Sequence, residues 1–270
     1  MTTLPATLSA AACAVLSAAS PDEKVALSRT AAQAWRDGTL VTIGSGTPPQ
    51  RPARPDKPLL LMPRDMPKRK FTGGEKGRVA MLHALAHIEL NAIDLAWDLI
   101  ARFGTEAPDR SFFDDWVGVA DEETLHFDLL TKRLADFSAT YGDLPAHDGL
   151  WQAAEATSDD LLARLAVVPM VLEARGLDVT PTMIAKLERV GDQASAQILE
   201  RIYEDEIGHV RIGNYWFSTL CRRRGLEASE VWPSLVRSRF TGTLKPPFNV
   251  EARTAAGIAP RWYEALVPTR

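Results

Sequence analysis

Glu122-Glu123-Thr124-Leu125-His126 and Asp205-Glu206-Ile207-Gly208-His209 repeat one pattern: an acid followed by Glu-x-x-His, each inside a stretch that reads as a long helix. Side chains at i and i+3 leave a helix from the same face, so each copy offers one carboxylate and one imidazole to a single point. A further Glu stands upstream of each copy in another apolar helical stretch. Glu89 lies 34 residues before Glu123, and Glu173 lies 33 residues before Glu206. The chain thus reads as Glu…Glu-x-x-His, twice. That set predicts a carboxylate-bridged two-metal site in a four-helix bundle.

The flanking residues show why these carboxylates are not ordinary surface acids. Three, four and seven positions from Glu89 stand Leu82, Leu85, Ala86, Ala92, Ile93 and Ala96, all apolar. Glu123 has Trp116, Val119, Ala120, Phe127 and Leu130 at those offsets, with His126 its one polar companion. Glu173 and Glu206 have similar surroundings, including Ala166, Met170, Leu199, Ile202 and Val210. Each Glu therefore falls within a buried stripe. Burying one unpaired carboxylate costs several kcal/mol, so four facing one another call for cations. Carboxylates and neutral imidazoles suit Fe(II) and Mn(II), and no thiolates are offered to select zinc. The expected cofactor is a pair of iron ions, or a manganese–iron pair, held by Glu89, Glu123, His126, Glu173, Glu206 and His209. Glu122 and Asp205 occupy equivalent places and are candidates to accept the second ring N–H of a ligating His. As solvated acids on a helix flank they would have no such part.

The remaining histidines and aromatics have plainer readings. His83 and His87 form an (i, i+4) pair, but His87 lies about 200° around the helix from Glu89, at 100° per residue. It is expected to hydrogen-bond Asp94 or Asn91, or to line a contact to the flanking extensions, rather than to bind a metal, and His147 is expected to be solvated in a loop. Tyr203, one turn before Glu206, is the aromatic nearest the predicted site, either as a redox or substrate-positioning residue or as core. Trp97, Trp116 and Trp216 read as core.

Working outward, the all-α expectation covers the whole chain of 270 residues, with almost no alternating strand pattern. Residues 1–38 form an N-terminal helical extension in which Ser20-Pro21-Asp22-Glu23 has the form of a capping box with Pro at the first helical position. Residues 39–74 form a strap with seven prolines between Pro48 and Pro67. Between 51 and 70 it carries Arg51, Arg54, Lys57, Arg64, Lys68, Arg69 and Lys70 against Asp56 and Asp65, a local charge of +5. It is either a solvated, proline-stiffened segment or a phosphate-binding one. Residues 75–225 form the bundle, with helices over 75–103, 111–141 and 148–176. Pro169 should kink the third, and Thr180-Pro181 should open the fourth, which runs to Arg224-Gly225 with a break at Gly191. Arg222, Arg223 and Arg224 complement the dipole at that helix's end. Residues 226–270 form a mostly irregular tail packed on the bundle.

A net charge of −4 and a sequence pI near 5.8 argue against general polyanion binding. A hydrophobic fraction of 46% suffices for a sizeable core. Two cysteines, Cys13 and Cys221, suggest neither a zinc site nor a disulfide framework and fit a reducing cytoplasm. Residues 1–20 are apolar but carry no Lys or Arg before the apolar run, which argues against export. No run of about 18 apolar residues is expected to span a bilayer.

The ligand pattern resembles the ferritin-like superfamily, and its two Glu-x-x-His copies resemble oxygen-activating and rubrerythrin-type members more than storage ferritin. The text His83-Ala-Leu-Ala-His87-Ile-Glu89-Leu-Asn-Ala-Ile-Asp94 is similar to a bacterial ferritin-like family of unknown function. So is the tail, with Lys245-Pro-Pro-Phe-Asn249, Ala252-Arg253 and Trp262-Tyr263. The bacterial tRNA-modifying hydroxylase acting on an isopentenylated adenosine is a more distant relative by fold. The resemblance implies a ferritin-like four-helix bundle and an oxidoreductase that activates dioxygen to oxidise an organic substrate. A peroxide-scavenging or ferroxidase protein and a non-enzymatic metal-binding scaffold are the alternatives. The substrate would be a small molecule or modified nucleoside. With no Cys-x-x-Cys for a rubredoxin-like iron, electrons would come from an external donor. No membrane partner is expected, and a homodimer is compatible with the pattern.

Overall fold

The structure, a computed structural model, describes residues 5–67 and 73–267. It is mostly helical. The one sheet among the described residues pairs Leu60–Leu61 in parallel with Ala146–His147. The chain divides into two compact units, residues 1–151 and 152–270.

In the first unit, α1 (Leu8–Ser17) and α2 (Pro21–Arg36) pack against α3 (Glu75–Arg102) and α4 (Arg110–Asp136), which pack along each other. The N-cap half of the expected box is formed. Ser20 Oγ accepts from the Glu23 N–H at 3.5 Å, and Pro21 occupies the first turn of α2. α4 stops at Asp136 rather than 141, because Phe137 leaves the helix and Ser138 takes a left-handed φ of 54°. The core includes Leu90, Ile93, Trp97, Phe112 and Trp116, none more than 1% exposed.

The strap is not simply solvated. Arg54 Nη1 lies 2.7 Å from Asp94 Oδ2, and Lys24 Nζ donates to Asp94 Oδ1 at 2.5 Å. Arg51 pairs with Asp148, and Arg102 donates to the Pro49 carbonyl at 3.1 Å. The buried Asp94 on α3 thus ties together α2, the strap and its own helix. Both Asp94 and Lys24 are desolvated, which raises the carboxyl pKa and lowers the ammonium pKa, and their mutual attraction opposes both shifts. Lys68, Arg69 and Lys70 lie outside the described residues.

α3 is by length and composition apolar enough to cross a bilayer, a run that the sequence reading did not single out, but most of its apolar window is buried inside the fold, as in a core helix.

In the second unit the expected third helix is interrupted. α5 (Gly149–Glu155), within which the unit boundary falls, is followed by a turn and then α6 (Leu161–Val167), capped by Asp160 on the Leu162 N–H at 2.9 Å. Arg164 closes the turn, donating to Thr157 Oγ1 and the Ala154 carbonyl. Pro169 does not merely kink the chain. Val168–Glu173 is a π-helical segment that leads straight into α7 (Ala174–Arg189). Gly176 ends nothing, and Thr180-Pro181 lies inside α7 instead of opening a helix. A proline here deprives the Leu177 carbonyl of its usual i+4 donor. Asn249 Nδ2, from the tail, donates to that carbonyl at 3.2 Å in its place. The break falls at Gly191 (φ 76°), and Asp192 caps α8 (Gln193–Arg223).

The tail, too, is helical where irregular chain was expected: α9 (Ala228–Arg239), α10 (Val250–Ala255) and α11 (Pro260–Glu264). α9 packs on α6 and α8, and the buried Trp232 donates to the Ala166 carbonyl at 3.0 Å. α10 packs on α7 and α8.

Candidate metal centre

Glu89 sits mid-way along α3, and Glu123 and His126 lie one turn apart on α4, as their (i, i+3) spacing requires. All three are buried, at 4%, 1% and 0% exposure. His126 Nδ1 lies 3.4 Å from Glu89 Oε2 and 3.4 Å from Glu123 Oε2. These separations exceed an ordinary N–H···O bond. Glu89 Oε2 is buried and accepts no hydrogen bond. Burial, followed by the neighbouring Glu123 charge, pushes the Glu89 carboxyl well above the usual carboxylate range. An ion among these atoms would remove both penalties, since a cation favours the ionised acid and takes the imidazole lone pair.

Glu206 belongs to the same group. One ligand atom each from Glu89, Glu123, His126 and Glu206 lies within 4.8 Å of the others, a cluster that could hold a metal ion. On α8, His209 Nδ1 stands 3.5 Å from Glu206 Oε1, repeating the arrangement on α4. His209 is 1% exposed, whereas the Glu206 side chain is half-buried, at 13%. Glu173 closes the π-helical segment, and neither it nor His209 is a member of the group of four. The donors are carboxylates and imidazole without thiolate, which fits a hard or borderline divalent ion.

Asp205 accepts from Arg201 Nε at 2.7 Å on its own helix. Glu122 precedes Glu123 on α4 and is half-buried. Tyr203 Oη accepts from Asn249 Nδ2 at 2.8 Å. His83 and His87 stand apart from the cluster. His83 Nε2 accepts from the Gly142 and Leu144 N–H groups. His87 meets Tyr141 Oη at 2.8 Å and Asn91, one of its two expected partners. His147 is the second residue of the Ala146–His147 strand, and its carbonyl faces His87 Nε2. What sequence reasoning missed is Asp178 and its partner Arg253, a buried pair on α7 and α10. The one available signal was the tail text around Asn249 and Arg253.

Fold and cluster define a class: an all-helical protein with a buried carboxylate–imidazole group able to hold a metal ion. Within it, the chain belongs to the family described as protein of unknown function DUF455, whose profile matches residues 17–264. An uncharacterized protein of Haemophilus influenzae is 46% identical over 211 residues, which cover 76% of this chain and 73% of that protein. No solved structure matches the chain.

Proposed function

We propose that the chain is a non-haem dinuclear metal protein, iron or manganese–iron, which activates dioxygen to oxidise an organic substrate within a ferritin-like bundle. The observation that carries this reading is the buried group of Glu89, Glu123, His126 and Glu206, drawn from both copies of the repeated pattern. Glu173 and His209 would complete the set. Four carboxylates balance two divalent cations, which is why four acids on apolar faces are tolerable only as a metal-binding set. When bound, the metal pair supplies the redox chemistry with dioxygen.

The chain's own residues prepare the site. Glu89 and Glu123 stay ionised beside the metal. His126 and His209 each turn Nδ1 toward the carboxylates, which presents that nitrogen as the atom that would meet the metal. Glu122 and Asp205 would accept the remaining ring N–H groups. The apolar neighbours of Glu89 and Glu123 exclude water and so limit competing reactions. A small organic molecule or modified nucleoside is the proposed substrate. Electrons would come from an external donor, since the two cysteines are far apart in sequence.

Anaerobic Fe(II) loading followed by metal counting and oxygen-uptake measurement tests this. The expected result is about two metal ions per chain and oxygen consumption on exposure, with metal content at least halved in Glu206→Ala. Weak binding, or binding indifferent to that substitution, overturns the site. Tight binding without oxygen uptake leaves a metal scaffold, and rapid peroxide turnover without organic substrate points to a scavenger.

A further inference from the structure

The second unit contains a cavity of about 360 Å³ that the metal reading does not use. That is within the size range of small-molecule sites. Its apolar wall comes from Val171 and Leu172 on the π-helical segment and from Phe240, Leu244 and Phe248 on the loop joining α9 to α10. Its polar wall holds Arg175, Lys245 and Arg253 against a single carboxylate, Asp178. Asp178 is already spent on Arg253, which donates to its two oxygens at 2.8 and 2.7 Å. The Arg253 side chain is 2% exposed, yet its Nη1 is buried without a hydrogen bond. Arg175 stands nearer solvent, 44% exposed, donating to the Lys245 carbonyl at 2.8 Å.

We propose that this cavity binds a small molecule with an apolar body and an acidic group, carboxylate or phosphate. The acidic group is read by Arg253 Nη1 with Arg175 and Lys245. A guanidinium fixed by a bidentate carboxylate keeps its geometry before the ligand arrives, and its remaining N–H groups gain a charge-assisted partner on binding. The aromatic and aliphatic wall takes the body. Leu172 leads directly into Glu173, so the ligand would sit beside a proposed metal residue and be the substrate of the proposed oxidation. Only that last link rests on the metal reading.

The test is calorimetric titration of the full chain with phenyl phosphate, phenylacetate and the uncharged phenylacetamide. At least one anion should bind about tenfold more tightly than the amide. That preference should vanish in the Arg175→Gln/Lys245→Gln double variant, whose altered side chains are largely exposed and whose folding is checked by circular dichroism. Arg253→Lys on its own should also weaken anion binding, since it removes the fork. Whichever anion binds more tightly names the acidic group. Anion binding retained in Glu206→Ala assigns the ligand to the cavity. Binding abolished by that substitution places the anion on the metal and overturns the proposal. Equal binding of anion and amide, or anion binding unchanged in the double variant, overturns it as well.

Discussion

His87 shows what burial does to a single titratable group. Surrounded by α3 neighbours, Tyr141 and the His147 carbonyl, its imidazole pKa is pushed down to about 4, chiefly by desolvation. In the unfolded chain it would protonate near pH 6.5. Between those values the unfolded state binds the extra proton, so stability falls as pH drops from about 6.5 toward 4. The loss is on the order of 3 kcal/mol at the low end of that window. Urea unfolding at pH 7 and pH 4.5, compared with His87→Gln, measures it. The variant should lose most of the slope over that interval. Glu89 differs in kind: its raised pKa arises from burial and from a second acid, Glu123, and both press for a cation. This residue-level logic was legible in the sequence, because every helical neighbour of Glu89 is apolar.

At the scale of elements, the π-helical segment and α8 depend on one close contact. A Cβ on Gly213 would lie 2.4 Å from Pro169 Cβ and 2.5 Å from its Cγ. α8 therefore needs glycine where the π-helical segment crosses it. Gly213→Ala should destabilise the protein by about 1–3 kcal/mol, even though alanine is the better helix former by about 1 kcal/mol. Thermal denaturation reads the sign directly, and a gain in stability would show that the segment shifts freely. Long helices were legible from period and caps, as with α2 and α3. Their interruptions were less so. Pro181 reads locally as a helix start, and only the distant Asn249 side chain makes it tolerable in the interior of α7.

On the scale of the whole molecule, metal binding at the cluster would be coupled to folding. If the cluster holds its ions tightly, removing them costs the native state the binding free energy, about 2.7 kcal/mol where the free metal stands at 100 times its Kd. For a chain of this size that corresponds to a drop in Tm of roughly 5 °C or more. Differential scanning calorimetry with and without chelator should show the shift in the wild type and none in Glu123→Ala. An equal shift in both would mean that the ions sit elsewhere.

The sequence alone determined the helical class, the main caps and four residues, Glu89, Glu123, His126 and Glu206, that lie together as a carboxylate–imidazole group, because helical spacing and apolar flanks are local properties. Tertiary structure decided the rest. It turned the basic strap inward, since Asp94 is buried and needs Arg54 as well as Lys24. It converted the irregular tail into three helices and carried the α7 helix through Pro181. It also set Arg253 against Asp178 to form a charged cavity wall. Each of these depends on partners tens of residues away, such as Asn249 for Leu177, and local pattern carries no information about which distant group will supply the missing hydrogen bond or charge.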